Sequence, residues 1–201
     1  MSWFVAMALI GSAAAFASAQ TRDAVSESQV RGWVRQAARD RRGDPNEIVL
    51  EIDRHVRERW GDFESFPLTI VQDEDLLVTV AAPYMLFRTS LVDMLRSGRP
   101  VGQAVWTRMV VVAITPQRLS AVDIEVVALS RDGRALPPLR QSLRPMRFSS
   151  GTGEERMIHA GEVGFAPAAF SPGGDVVLTL TPRGGPPIVH AFSEDELGTL
   201  K

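Results

Sequence analysis

The chain has 201 residues, with 22 basic and 24 acidic side chains, a formal net charge of −2 and no cysteine. The absence of cysteine excludes disulfides, thiol nucleophiles and zinc–thiolate or iron–sulfur sites, and we expect no cofactor. Nucleic-acid-binding domains carry a one-sided basic surplus, so the balanced charge argues against nucleic acid as a partner. Arginine supplies 21 of the basic residues and Asn46 is the only asparagine, a bias that indicates a GC-rich, bacterial genome.

The N-terminal segment, residues 3–19, is uncharged and ends in the small-x-small sequence Ala17-Ser18-Ala19. This pattern predicts a signal peptide over residues 1–19, cleaved after Ala19, and a periplasmic or secreted mature protein with no membrane span. A membrane span needs about 20 apolar residues, and the second half of this segment is only weakly apolar. An uncleaved membrane anchor is the alternative.

Residues 20–62 are predicted to form an N-terminal helical hairpin. In the first half, apolar side chains recur at the spacing of one helix face, at Val30, Trp33, Val34, Ala37 and Ala38. Asp44 followed by Pro45 predicts the start of a second helix, and Gly61 predicts its end. Trp33 and Trp60 both lie on apolar helix faces, so we expect them in the core.

Residues 63–201 are predicted to form a β-rich domain. Two β-branched runs, 68–71 and 76–80, predict a β-hairpin with an acidic tip, and helical spacing over 84–95 predicts a helix after it. The Asp132-Gly133 pair predicts a tight turn between strands. Further strands are predicted at residues 104–114, 122–129, 147–149, 157–165, 176–181 and 188–192.

The fold class that follows is α+β, mainly β. We expect an antiparallel β-sandwich preceded by the helical hairpin, with one helix inserted after the first β-hairpin. In strand length and turn spacing, residues 106–192 are similar to immunoglobulin-like sandwiches. That resemblance concerns architecture alone, and an architecture does not imply a function.

The candidate binding segment is the polar loop at residues 149–155, which lies between two predicted strands. Its candidate contact residues are Ser149, Ser150, Thr152, Glu154 and Glu155. Loops held by a rigid scaffold commonly carry binding function. The alternative is a mobile connection without a role in binding.

No metal site is expected. The alternative is a calcium site at Asp73, Glu74 and Asp75, since carboxylate oxygens are calcium ligands. This cluster lacks the spaced ligands and central glycine of a calcium loop, so an acidic hairpin tip is the favoured interpretation.

No catalytic residue is predicted either. His55, His159 and His190 are at least 31 residues apart, so we expect surface or structural roles for them. The serine-hydrolase elbow Gly-x-Ser-x-Gly does not occur.

The function predicted from these observations is an exported, non-catalytic binding or accessory protein of the bacterial cell envelope. Its expected partner is another envelope protein. The alternative is an exported hydrolase whose site is assembled by the fold, because a Ser–His–acid triad is defined by geometry rather than by order along the chain.

Overall fold

The computed structural model describes residues 25–40, 44–61, 63, 66–150 and 152–200. The predicted signal peptide and its cleavage site lie outside these residues. The described residues are about 35% strand and 33% helix, and their sheets are antiparallel. The α+β class is therefore confirmed, whereas the expected predominance of strand is not found, because helices account for almost as many residues.

The four α-helices among the described residues are α1 Glu27–Asp40, α2 Pro45–Trp60, α3 Pro83–Arg96 and α4 Glu194–Thr199. None of them is long and apolar enough to span a membrane. Asp44 caps α2 as its sequence predicts, since the Asp44 side chain accepts hydrogen bonds from the backbone N–H groups of Asn46 and Glu47. Gly61 ends α2 with a φ of 85°, a backbone angle that favours glycine.

Ten strands follow in the described part of the chain: β1 Leu68–Gln72, β2 Leu76–Ala81, β3 Val110–Pro116, β4 Ile124–Arg131, β5 Arg134–Leu136, β6 Arg140–Gln141, β7 Arg144–Ser149, β8 Glu155–Phe165, β9 Val176–Pro182 and β10 Ile188–Ala191. The first sheet has the order β1-β2-β3-β8-β6, and β7 also pairs with β8. The second sheet has the order β10-β9-β4-β5. Asp132 and Gly133 connect β4 to β5 with φ angles of 50° and 74°, as expected for the predicted tight turn.

Strands β6 and β7 form one long edge along β8. The pairing keeps the same register from Arg140, opposite Gly164, to Ser149, opposite Glu155. Beyond Gly161, where β3 stops pairing with β8, the two strands continue as a hairpin arm, residues 144–160. Pro145 lies on this edge, where its missing N–H removes no bond to β8 and leaves the outer edge without a donor.

The described residues form two apolar cores. The sheet core takes side chains from both sheets, among them Val78, Val163, Ile124 and Leu178. The helical core takes side chains from α1, α2 and α3. Helix α3 belongs to both cores, because its Met85 lies in the sheet core while the neighbouring Tyr84 and Phe87, among others, lie in the helical core.

The strand predicted at 104–114 begins later than expected, at Val110. Residues 101–103 form a 3₁₀ turn, and Ala104 is buried in the helical core. Trp106 packs against Phe87 of α3 at a ring distance of 5.1 Å. The β-branched composition of this segment is overridden by its contacts with the helices, so residues 104–109 leave the sheet and border the helical hairpin.

Candidate functional site

Asp123 is the centre of a polar cluster between the two sheets. It lies immediately before β4 and is only 4% exposed. Its Oδ1 accepts hydrogen bonds from the His159 backbone N–H at 2.7 Å and from His159 Nδ1 at 2.9 Å. Arg183, which follows β9, places Nε 3.5 Å from Asp123 Oδ2 and 2.6 Å from Glu125 Oε1. Asp123 thereby ties β8 of the first sheet to β4 and β9 of the second.

The electrostatics of this cluster favour an ionised aspartate. Burial alone would raise the pKa of Asp123, but the hydrogen bonds from the His159 backbone and imidazole, together with the Arg183 charge, hold that pKa below its ordinary value. When the imidazole is neutral, donation from Nδ1 to the Asp123 carboxylate places its proton on Nδ1 and leaves Nε2 as the acceptor. This is the orientation that a buried aspartate gives to the histidine of a hydrolytic triad.

A nucleophile for that pair is not in place. Among the hydrogen bonds of the described residues, none joins a serine or threonine hydroxyl to His159. The pair therefore has two members of a triad, and its third position would have to be supplied by water or by a substrate group.

The same cluster has the atoms for a cation site, since ligand atoms of Asp123, Glu125 and His159 lie within 4.8 Å of one another. The Arg183 guanidinium already contacts both carboxylates. A fixed positive charge beside these carboxylates opposes a metal ion, so the residues present do not fit a divalent cation.

A second ionic cluster lies within the helices. Asp53 on α2 is 2% exposed and accepts a 2.7 Å hydrogen bond from the Tyr84 hydroxyl of α3. Arg88, also on α3, contacts both Asp53 oxygens at 2.9–3.1 Å. Burial, reinforced by the Asp53 charge, raises the pKa of Tyr84 above its usual range. The cluster joins α2 to α3 through both oxygens of Asp53.

A cleft lies between the start of α1 and the segment that enters β3. Its volume is about 630 Å³. Residues from several elements line it: Val25, Ser26, Glu27, Ser28, Arg31, Arg35, Pro83, Trp106, Arg108 and Pro167. We call this site the α1 cleft. It combines apolar and aromatic walls with convergent charged groups, which is the composition of small-ligand sites.

The candidate loop at residues 149–155 is the tip of the hairpin arm. Ser150 Oγ accepts from the backbone N–H groups of Thr152 and Glu154, and Glu155 forms an ion pair with Arg147. Ser149 pairs with Glu155 across the strands. Gly151 lies outside the described residues. Ser149, Thr152, Glu154 and Glu155 are exposed, so a binding role for this loop stays a prediction.

The acidic tip at Asp73, Glu74 and Asp75 does not converge on one point. Asp73 Oδ1 accepts from the backbone N–H groups of Asp75 and Leu76. Glu74 pairs with Arg118, and Asp75 Oδ1 accepts from the Ser120 hydroxyl. Each carboxylate has a separate partner, which supports the interpretation as a structural turn.

The remaining histidines have local partners. His55 stacks on Trp33 at 4.9 Å and lies 3.6 Å from Glu58, so it is half-buried rather than on the solvated side of α2. His190 lies 3.2 Å from Glu196 of α4. Trp33 and Trp60 are half-buried and pack on the helical core, a shallower position than the sequence predicts.

Sequence reasoning missed both the Asp123 cluster and the α1 cleft. Asp123 precedes β4, His159 lies within β8 and Arg183 follows β9, so no spacing along the chain connects them. The sequence contains part of the information for the α1 cleft. Arg31 and Arg35 are four residues apart and therefore share a helix face. Comparisons of the chain with family models, with curated proteins and with solved structures found no match.

Proposed function

We propose that the mature chain is an exported, non-catalytic binding protein of the bacterial cell envelope, and that the α1 cleft holds its small-molecule ligand. The observation that carries this proposal is the cleft itself. Its volume of about 630 Å³ is within the range of roughly 300–1,000 Å³ typical of small-ligand sites. We further propose that the two sheets face each other as an immunoglobulin-like sandwich, a rigid support on which the helices hold the cleft open.

The walls of the cleft are fixed before any ligand arrives. Trp106 packs against Phe87 of α3, and the Val105 backbone N–H donates to Ser90 Oγ at 3.0 Å. On the opposite side, the Arg31 side chain donates to the backbone carbonyl of Ala104 at 2.9 Å. A preorganised site loses less entropy on binding than one that must form.

The cleft can be tested by filling it. Ser28 lines the cleft, whereas Gln29, the next residue on α1, does not. We expect small fragments detected by saturation-transfer NMR to bind the parent chain and the control Gln29→Trp, and to lose binding in Ser28→Trp. Fragments that bind all three chains equally, or a screen without any binder, would overturn the proposal. Melting temperatures of the two variants show that both remain folded.

Export is tested separately by the mass of the secreted or periplasmic chain. We expect a mature N-terminus at Gln20, since Ala17-Ser18-Ala19 is the predicted cleavage sequence. A full-length chain recovered only with membranes would instead support an uncleaved anchor.

The Asp123–His159 pair favours a second candidate function, an exported hydrolase that uses His159 as a general base. A panel of esterase and glycosidase substrates distinguishes the two functions. Turnover that is abolished in His159→Ala and retained in the control His55→Ala would support the hydrolase. We expect no turnover, because the pair lacks a positioned nucleophile.

A further inference from the structure

We infer that the ligand of the α1 cleft carries an anionic group, a carboxylate or a phosphate ester, attached to an apolar or aromatic body. This inference rests on the proposed function and adds the chemical class of the ligand. The supporting observation is a difference among the arginines that line the cleft.

One of these arginines is fully used by the fold. Arg31 donates from Nε to Glu27 Oε1 at 2.9 Å and from its two terminal nitrogens to the carbonyls of Gly102 and Ala104. Its guanidinium also lies 5.4 Å from the centre of the Phe87 ring. Arg31 therefore neutralises Glu27, holds the 3₁₀ turn against α1, and has little capacity left for a ligand.

The other two arginines have no such partners. Within the described residues, neither Arg35 nor Arg108 hydrogen-bonds or lies within 4 Å of a carboxylate, although both line the cleft. Since Arg31 and Glu27 form a pair, the remaining charged groups among the described lining residues are two guanidinium groups, those of Arg35 and Arg108. The chain as a whole has a net charge of −2, so this local surplus is opposite in sign to the protein.

Guanidinium groups have a planar fork of donors that matches the two oxygens of a carboxylate or phosphate. The neighbouring wall is apolar, with Trp106, Pro83 and Pro167 in the lining, and an aromatic or aliphatic group can pack there. Two unpaired cations beside an indole thus define a complementary ligand: an organic anion, held by its charge at the arginines and by its body at Trp106.

The chain is rich in arginine, and this composition alone could account for two arginines at the cleft. The controls are therefore other exposed arginines. Arg39 on α1 and Arg96 on α3 are exposed arginines outside the cleft. If Arg35 and Arg108 are merely two more surface arginines, then replacing any of the four will have the same effect on binding.

The test is calorimetric titration of the mature chain at constant ionic strength with four aromatic probes: benzoate, phenyl phosphate, neutral benzamide and cationic benzylamine. Inorganic phosphate is a fifth probe, which reports whether the charge suffices without an aromatic body. We expect benzoate or phenyl phosphate to bind more tightly than benzamide, and benzylamine to bind least. The better of the two anions identifies the headgroup.

The variants are Arg35→Gln and Arg108→Gln, with Arg39→Gln and Arg96→Gln as matched controls. Each cleft variant should weaken the anion by about tenfold, the size expected for one charge-assisted hydrogen bond, and each control by less than about twofold. Both cleft arginines are exposed and unpaired, so we expect unchanged melting temperatures. Equal effects of all four variants would overturn the inference.

The two proposals fail in different ways. In the first case, benzamide and benzoate bind equally, Ser28→Trp abolishes their binding, and the double variant Arg35→Gln/Arg108→Gln leaves it unchanged. The cleft is then a binding site, but the inference of an anionic ligand is wrong. If no probe binds in a way that Ser28→Trp affects, then both the proposed function and this inference fail.

Discussion

The two ionic clusters both contain a buried aspartate and an arginine, but they differ in the exposure of the arginine and in their third member. Each centres on a buried aspartate and includes one arginine. In the helical cluster, the arginine side chain is 20% exposed and holds both oxygens of Asp53. In the sheet cluster, Arg183 is 65% exposed and divides its contacts between Asp123 and Glu125. The third member is a tyrosine in the helices and a histidine between the sheets.

The two clusters differ in how their third member is used. The Tyr84 hydroxyl donates to Asp53, and burial raises the pKa of Tyr84 above its usual range, so this hydroxyl stays a donor to Asp53 at neutral pH. The partner of Asp123 is the His159 imidazole, and among the described residues Nε2 of this ring has no hydrogen-bond partner. The sheet cluster therefore keeps one ring nitrogen outside the contact, whereas the helical cluster serves the contact between α2 and α3.

The largest effect is expected at Asp53. Replacement by asparagine keeps the shape but leaves Arg88 partly buried without its counter-charge, and removing one partner of a buried ion pair costs about 3–5 kcal/mol. Urea unfolding at pH 7 measures this loss. Asp93→Asn on the exposed surface of α3 is the control and should change the free energy of unfolding by less than about 0.5 kcal/mol. A similar loss of unfolding free energy in both variants would show that the Asp53 cluster contributes no more to stability than an exposed aspartate.

A smaller loss is expected at Asp123. In Asp123→Asn the amide oxygen can still accept from the His159 backbone, and the largely exposed Arg183 can be solvated by water. We expect a loss of about 1–3 kcal/mol, the cost of weakening buried hydrogen bonds to a charged group. The control is Asp175→Asn, at an exposed position. If Asp123→Asn is as costly as Asp53→Asn, then exposure of the arginine does not distinguish the two clusters.

Lowering the pH should reduce the contribution of the sheet cluster to stability, because Asp123 is then protonated. The pKa of Asp123 in the folded protein is lowered. The stability from its ionised form is therefore present above its unfolded pKa and is lost as the pH falls through the lower, folded value. Glu196 behaves alike: burial would raise its pKa, but hydrogen bonds from Ser193 and the charge and hydrogen bond of His190 lower it.

Free aspartate and glutamate gain protons near pH 4. We therefore expect the loss of stability from both carboxylates to occur below about pH 4. We expect the free energy of unfolding to fall more gently between about pH 4 and pH 2 in Asp123→Asn than in the parent chain. The neighbours Glu125, His159 and Arg183 are present in both proteins, so the difference isolates Asp123. Parallel pH profiles for the two proteins would refute the assignment.

Elements whose signals are local were predictable from sequence. The cap at Asp44 and the turn at Asp132 and Gly133 each depend on residues within four positions of one another. A side chain that bonds its own backbone a few residues away does so in almost any tertiary context. These features therefore appear in the structure where the sequence places them.

Features that depend on distant contacts were not predictable. Residues 104–109 have the composition of a strand, but Ala104 is buried in the helical core and Trp106 packs against it, and tertiary packing overrides β propensity. Asp123 meets His159 and Arg183 only because the two sheets bring the interior of β8 close to the start of β4 and the end of β9. Arg108 reaches the α1 cleft through the same irregular segment, so the cleft could not be inferred from the helix alone.

The dual membership of α3 has a consequence for how the molecule unfolds. Met85 and Tyr84 are adjacent on this helix, yet the first is buried in the sheet core and the second in the helical core. Melting the helices would uncover Met85, and opening the sheets would remove the support beneath Tyr84 and Phe87. Neither core can unfold without exposing apolar surface of the other, so unfolding of one core lowers the stability of the other. The described chain should therefore melt as one cooperative unit, with a calorimetric enthalpy equal to the van't Hoff enthalpy.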